Sequence, residues 1–278
     1  MKQSRRKQIA LDTLEVIDRG FYLNDEKQQV SIDQQMKYAL DHTRLFTPEE
    51  LDSLFTEMKT GPSFATAYEV VNETTLDAAR RLVRENENNP ACLNFASAKN
   101  PGGGFLRGSL AQEECIARAS GLYPCLLKGK EYYIWHRSLD TCLYSDHMIY
   151  SPFVPVIKDE DGEFLNVPVP VTIITSPAVN AGVIRRNEQQ RIDQIVPVMQ
   201  VRIEKLLALC LHYSHESIVL GAWGCGVFQN DPEMIAQLFK DALEGVFKNR
   251  FKRVVFAIKT RDENMIAAFS KRFTTNDH

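Results

Sequence analysis

The sequence predicts an α/β protein, with helices layered on a mostly parallel or mixed sheet. Two observations carry this. From residue 63 onward, short β-branched and aromatic runs alternate with longer helical stretches, the pattern of layered α/β folds. Two of the strand-to-helix connections are glycine-rich, an arrangement that presents backbone N–H groups at the end of a sheet.

A helical preface stands ahead of that alternation. Residues 4–18 read as an amphipathic helix with Ile9, Leu14 and Ile17 among its apolar positions. Thr47-Pro48-Glu49-Glu50 opens a second helix, with Thr47 as N-cap, Pro48 at the first helical position and Glu50 completing a capping box. We expect residues 1–60 to form an N-terminal helical accessory segment and residues 61–278 the main domain. Within it, 64–71 and 91–96 read as strands around a helix at 75–86, and a loop and helix occupy 99–121. Strands follow at 148–157, 170–175, 217–221 and 253–258, with helices at 188–211, 232–247 and 262–271. The segment 154–171 breaks the rhythm: two β-like runs flank Asp161-Gly162, a hairpin turn. Pro152, Pro155, Pro168 and Pro170 should hold these runs at a sheet edge or outside the sheet. The acids at 159–163 read as a solvated turn.

The chain has 278 residues, 44% of them hydrophobic and 25% charged, which excludes disorder and fibrous repeats. A net charge of −3 argues against a surface-wide trap for polyanions, so direct DNA binding is not expected. The 6 cysteines are scattered without a C-x-x-C pair, which points to a reducing, cytoplasmic setting, or a nuclear one in a eukaryotic cell. No run approaches the roughly 18–20 apolar residues of a membrane helix, and no His/Cys/Asp/Glu set has metal-ligand spacing, so neither membrane association nor a metal or other cofactor is expected. Cys210, His212 and His215 read as an ordinary helix end.

Chemistry concentrates in two loops. Asn100-Pro101-Gly102-Gly103-Gly104 follows a strand, and three consecutive glycines suit a backbone that must approach a ligand closely. Ser109 and Gln112 then read as a capping box that places Glu113 and Glu114 in the opening turns of a helix. Adjacent helical residues point about 100° apart, so one carboxylate could hold a substrate hydroxyl while the other transfers a proton. An acid working near neutral pH needs burial or a neighbouring carboxylate to raise its pKa, against the pull of the helix N-terminus. Acids are also common at helix starts for structural reasons alone. The second loop, Gly221-Ala222-Trp223-Gly224-Cys225-Gly226-Val227-Phe228, leads to Asp231-Pro232, an N-cap and first helical position. It fits neither a dinucleotide fingerprint nor a Walker loop, which leaves a lysine-free diphosphate cradle or a tight structural turn. Cys225 reads as a small packed residue.

The N-P-G-G-G run, followed after seven residues by Gln112-Glu113-Glu114, resembles the signature of poly(ADP-ribose) glycohydrolases. Segments 176–180 (SPAVN) and 221–232 (GAWGCGVFQNDP) are similar to the bacterial-type branch, and the resemblance runs from about residue 60 to the end. It implies a three-layer α/β/α macrodomain with a mixed central sheet, plus the N-terminal extension. It further implies metal-independent hydrolysis of ribose–ribose O-glycosidic bonds at the polymer terminus, releasing ADP-ribose. Glu114 would be the general acid and then the base, and Glu113 would hold ribose hydroxyls. Asn100, Gly102, Gly103 and Gly104 would position and wrap the distal ribose, beside Gln112. Gly224, Cys225, Gly226 and Val227 would cradle the diphosphate, with Phe228 packing by the ribose. Asn180 is a candidate on the adenine side. The implied partner is poly(ADP-ribose) or an ADP-ribosylated protein. Two alternatives stay open: a non-catalytic ADP-ribose-binding macrodomain, and a hydrolase of single ADP-ribose units on protein or nucleic acid.

Overall fold

The structure, a computed structural model, describes residues 1–58 and 60–273. In chain order the elements are α1 (Gln3–Arg19), β1 (Phe21–Leu23), β2 (Gln29–Ser31), α2 (Asp33–His42), β3 (Arg44–Phe46), α3 (Pro48–Thr56), β4 (Ala67–Val71), α4 (Thr75–Arg84) and β5 (Ala91–Phe95). There follow α5 (Gln112–Ala119), α6 (Leu122–Lys128), α7 (Lys130–Ser138), β6 (Met148–Lys158), β7 (Phe164–Ser176), α8 (Ala181–Asn187), α9 (Ile195–His212), β8 (Ser217–Leu220), α10 (Pro232–Glu244), β9 (Arg253–Ala257) and α11 (Glu263–Phe273). The main sheet has seven strands in the order β3-β6-β7-β5-β8-β9-β4. Strands β7, β5, β8, β9 and β4 run parallel to one another, and β6 and β3 alternate in direction at the β7 side.

Both faces of this sheet are buried, which the strands achieve with period-two alternation. Ala91 and Leu93, Ile218 and Leu220, and Val254 and Phe256 face the core shared with α3, α8, α9, α10 and α11. Cys92, Val219, Val255 and Ala257 face the core shared with α2, α4, α5, α6 and α7. Central parallel strands covered on both faces read as continuous apolar runs for this reason. The result is the three-layer α/β/α arrangement with a mixed sheet.

The expected capping box forms at α3, where Glu50 N–H donates to the Thr47 hydroxyl (3.3 Å) and Thr47 N–H to the Glu50 carboxylate (2.9 Å). Asp231 caps α10 as read, accepting from Glu233 N–H at 3.0 Å. The helix placed at 188–211 begins later: residues 189–194 form a 3-10 turn ahead of α9.

The β6–β7 hairpin resolves the proline question. Both strands lie inside the sheet at Met148–Tyr150 and Thr172–Ser176, but beyond these no further strand pairs with the hairpin, whose one outside backbone partner there is a single bridge from Val156 to Ser120. Pro155 and Pro170 face each other there, and Pro152 falls in the register shift between Ser151 and Val154. The prolines thus occupy positions where no third strand requires an N–H.

Residues 1–58 pack onto the domain rather than trailing from it. β3 adds to the sheet, pairing Arg44 with Tyr150. On α1, the Thr13 hydroxyl donates to the Arg118 carbonyl at 2.5 Å, and Gln3 and Arg6 reach the carbonyls of Arg107 and Gly108. Among the described residues no helix is long and apolar enough to cross a membrane.

Candidate active site

Because the five parallel strands share one direction, the loops that follow them meet at one end of the sheet. A cleft of about 920 Å³ opens there, walled by Glu113 and Glu114 of α5, by Trp223, Gly224, Gly226, Val227 and Phe228 after β8, and by Ile258–Arg261 after β9. Ligand sites of open α/β sheets lie at the carboxyl ends of the strands in the same way.

Gln112 fixes the helix that carries the carboxylates. The predicted capping box with Ser109 does not form: the N-cap of α5 is Ala111, with no side-chain cap. Instead the Gln112 amide crosses to the sheet. Its oxygen accepts from Phe95 N–H (2.8 Å), and its nitrogen donates to the Leu93 carbonyl (2.7 Å) and the Thr75 hydroxyl (3.0 Å). The sheet competes for Gln112 because the end of β5 has backbone groups that need partners, whereas the first turn of a helix can use solvent. Gln112→Ala should therefore cost about 3 kcal/mol in urea denaturation, at roughly 1 kcal/mol for each of the three bonds lost. Gln112→Glu should not rescue it, since a carboxylate cannot donate to Leu93.

Glu113 and Glu114 do diverge. Glu113 is 3% exposed and held by protein donors on both oxygens: Ser97 N–H at 2.7 Å and the Asn94 amide at 3.4 Å. Asn94 is itself held by the Thr175 hydroxyl (3.1 Å). Burial pushes the Glu113 carboxyl up to about 8, the charge of Glu114 adds to this, and the Ser97, Asn94 and Gly102 donors pull the other way. Desolvation thus outweighs the helix N-terminus at this residue. Glu114 is only partly buried. One oxygen accepts from Gly104 N–H (3.0 Å), and the other is shielded from solvent without any protein partner.

The raised Glu113 value sets a pH dependence. Below pH 4.5, the ordinary glutamate value, folded and unfolded chains both carry this proton. Between 4.5 and about 8 only the unfolded chain releases it, so stability falls as pH rises through that window and levels off above it. Glu113→Gln should flatten this slope, measured as melting temperature against pH. A variant retaining the full slope would contradict the assignment.

The triple glycine serves these carboxylates directly. Gly102 and Gly103 have φ of +67° and +59°, and a Cβ on Gly103 would strike the Glu114 carboxylate. Gly103 N–H closes the turn onto the Asn100 carbonyl at 2.9 Å. The loop therefore packs behind Glu114. Asn100 is exposed, and it and Gly102, Gly103 and Gly104 lie outside the cleft wall.

In the second loop, Gly224 has a φ of +74°, and a Cβ there would meet Ala178 and the Asn230 amide. Asn230 pins the loop through the carbonyls of Val179 (2.7 Å) and Gly224 (3.3 Å). Gly226 faces open space, and Val227 is 81% exposed at the rim. Cys225 lies outside the wall; burial pushes its thiol up to about 12, so it is no nucleophile at neutral pH. Asn180 also lies outside the wall. It caps α8, accepting from Val183 N–H (3.2 Å), while Gly182 N–H on that helix donates to the Phe228 carbonyl (2.9 Å).

Sequence reading missed several wall residues, among them Thr74 and Thr75, Phe95 and the Lys259-Thr260-Arg261 run. Each stands at or just after the carboxyl end of a parallel strand, the one signal that could have found them. Among the described residues no group of three or more His, Cys, Asp or Glu is placed to hold a metal ion.

Residues 10–159 match the family described as microbial-type PARG, catalytic domain. Among solved structures, poly(ADP-ribose) glycohydrolase (PARG) from Thermomonospora curvata is 44% identical, with a TM-score of 0.93 over 98% of this chain and 100% of that one. The same enzyme bound to the inhibitor ADP-HPD gives 43% identity and a TM-score of 0.90 over the same shares. PARG from Deinococcus radiodurans in complex with ADP-ribose is 42% identical, with a TM-score of 0.82 over 87% of this chain and 98% of that one. No curated protein matches.

Proposed function

The chain belongs to the microbial-type poly(ADP-ribose) glycohydrolase family, and on that premise we propose that it hydrolyses the ribose–ribose bond at the terminus of poly(ADP-ribose) and releases ADP-ribose. The observation that carries this is the unpartnered, shielded oxygen of Glu114 in the cleft, beside a carboxyl that keeps its proton at neutral pH. Glu114 protonates the leaving ribose oxygen, and the resulting carboxylate then takes a proton from the water that attacks the oxocarbenium-like centre. A neutral Glu113 can donate to a ribose hydroxyl, which an ionised one cannot. With Glu113 neutral, the pair carries at most one negative charge.

The remaining roles follow the two loops. Gly224, Cys225, Gly226 and Val227 cradle the diphosphate with backbone groups, and Phe228 packs by the ribose. Asn100 and Gly102–Gly104 shape the distal-ribose pocket from behind Glu114, Gln112 fixes the helix, and Asn180 acts on the adenine side through α8. Residues 61–278 form the macrodomain-like catalytic unit and residues 1–60 its accessory flank.

The test is ADP-ribose release from poly(ADP-ribose), run beside a mono-ADP-ribosylated protein. Release from the polymer alone supports the reading. Calorimetric ADP-ribose binding without release would leave a reader domain, and equal release from both substrates a mono-ADP-ribosyl hydrolase. Because the diphosphate grip comes from backbone N–H groups, ADP-ribose affinity should depend only weakly on salt. A steep fall between 50 mM and 500 mM sodium chloride would contradict that cradle.

A further inference from the structure

The cleft also takes wall residues from outside the loops that follow the parallel strands. They come from α1, α5 and the β6–β7 hairpin, and include Arg6 and Arg118. Arg118 follows Glu114 by four residues on α5, so the two share a helix face about one 5.4 Å turn apart. Arg6 arrives from α1. The two guanidiniums hold adjacent carbonyls, Arg6 Nε on Gly108 (2.7 Å) and Arg118 Nη1 on Ser109 (2.6 Å).

Their other partners are the Met1 carbonyl for Arg6 and the Cys115 thiol for Arg118. All of these acceptors are neutral, and among the described residues neither guanidinium forms an ion pair. Arg118 is nevertheless only 6% exposed, and buried cations are ordinarily paired. Lys158 stands behind them, its ammonium on the Ile9 carbonyl (3.0 Å). Three of the four hairpin acids at this end have partners of their own: Asp159 accepts from the N–H groups of Asp161 and Glu163, Glu160 pairs with Lys259 at 3.6 Å and Glu163 with Arg5 at 3.1 Å.

We propose that Arg6 and Arg118 form an anion subsite on the leaving-group side of the scissile bond, which takes the diphosphate of the next unit of the polymer. The proposal rests on the glycohydrolase reading. The leaving ribose of a polymer carries a further diphosphate, and a single unit on a protein side chain has none in that place. Guanidinium forks with donors to spare suit phosphate oxygens. The subsite makes the chain prefer polymer over mono-ADP-ribosylated protein through binding on the leaving side.

Arg6 carries the test, because replacing the buried Arg118 endangers the fold. Arg6→Glu should raise KM for poly(ADP-ribose) about tenfold, the loss of one charge-assisted contact, with ADP-ribose affinity unchanged. Arg6→Lys should fall between wild type and Arg6→Glu, since an ammonium keeps the charge and loses the fork. Inorganic pyrophosphate should bind the wild type by calorimetry even with ADP-ribose saturating, and should not bind Arg6→Glu. An unchanged KM, a parallel loss of ADP-ribose affinity, or complete displacement of pyrophosphate by ADP-ribose would overturn the subsite. If the wild type releases no ADP-ribose, the glycohydrolase reading fails, and the pyrophosphate measurement still decides the subsite by itself.

Discussion

Glu114→Gln should slow ADP-ribose release from poly(ADP-ribose) by about 10²–10⁴-fold, the range of a positioned general acid–base, while ADP-ribose still binds. The amide is nearly isosteric and keeps an oxygen for Gly104 N–H, so the loop and helix stay in place. What it loses is the exchangeable proton at the free oxygen. Glu114→Ala should lose as much activity, and it also leaves Gly104 N–H without its acceptor, so some stability goes with it. The diagnostic is the split between kcat and binding: an acid–base role removes turnover with affinity largely kept, whereas a binding role lowers both together. Comparable turnover by wild type and Glu114→Gln would remove Glu114 from the chemistry. Glu113→Gln gives a useful contrast. It remains neutral and can still offer hydrogen bonds to a ribose hydroxyl, so its loss of activity should be much smaller, and its pH–rate profile should lack any contribution from a group near 8.

The layered fold was legible because its causes are local. Strands β5, β8 and β9 are short apolar runs that must be covered on both faces, and the Thr47 and Asp231 caps form from residues a few positions apart. The carboxylate pair was legible for the same reason, since helical geometry alone separates Glu113 from Glu114. The failures involve long-range competition. Ser109 and Gln112 have the spacing of a capping box, yet the end of β5 claims the Gln112 amide, and no window of sequence around residue 110 contains that strand. The triple glycine signalled a close approach, but what it approaches is the protein's own Glu114. β3 is three residues long and becomes a strand through pairing with β6 a hundred residues away. Nothing in the sequence around residue 118 singles out Arg118, because its lack of a carboxylate partner exists only in three dimensions.

Gly103→Ala should be nearly as damaging to turnover as removing Glu114, through position rather than chemistry. Two penalties combine. At a φ of +59° an alanine pays about 1 kcal/mol for left-handed backbone. Its Cβ would also strike the Glu114 carboxylate and sit 3.2 Å from a Glu113 oxygen. The turn is closed onto the Asn100 carbonyl and Glu113 is sealed against Ser97 and Asn94, so the partly exposed Glu114 side chain is the group that yields. Displacement of a reacting group by about 1 Å is enough to cost on the order of 100-fold in rate, and the freed Gly104 N–H loses its acceptor as well. A double-mutant cycle separates the two penalties. In the Glu114→Ala background the collision is gone, so Gly103→Ala should cost only the backbone strain. In the wild type it should cost about 2–3 kcal/mol, the range for overpacking a well-packed site, read by urea denaturation. Equal costs in both backgrounds would mean that the glycine is needed for its backbone conformation alone, and that the loop does not set the position of Glu114.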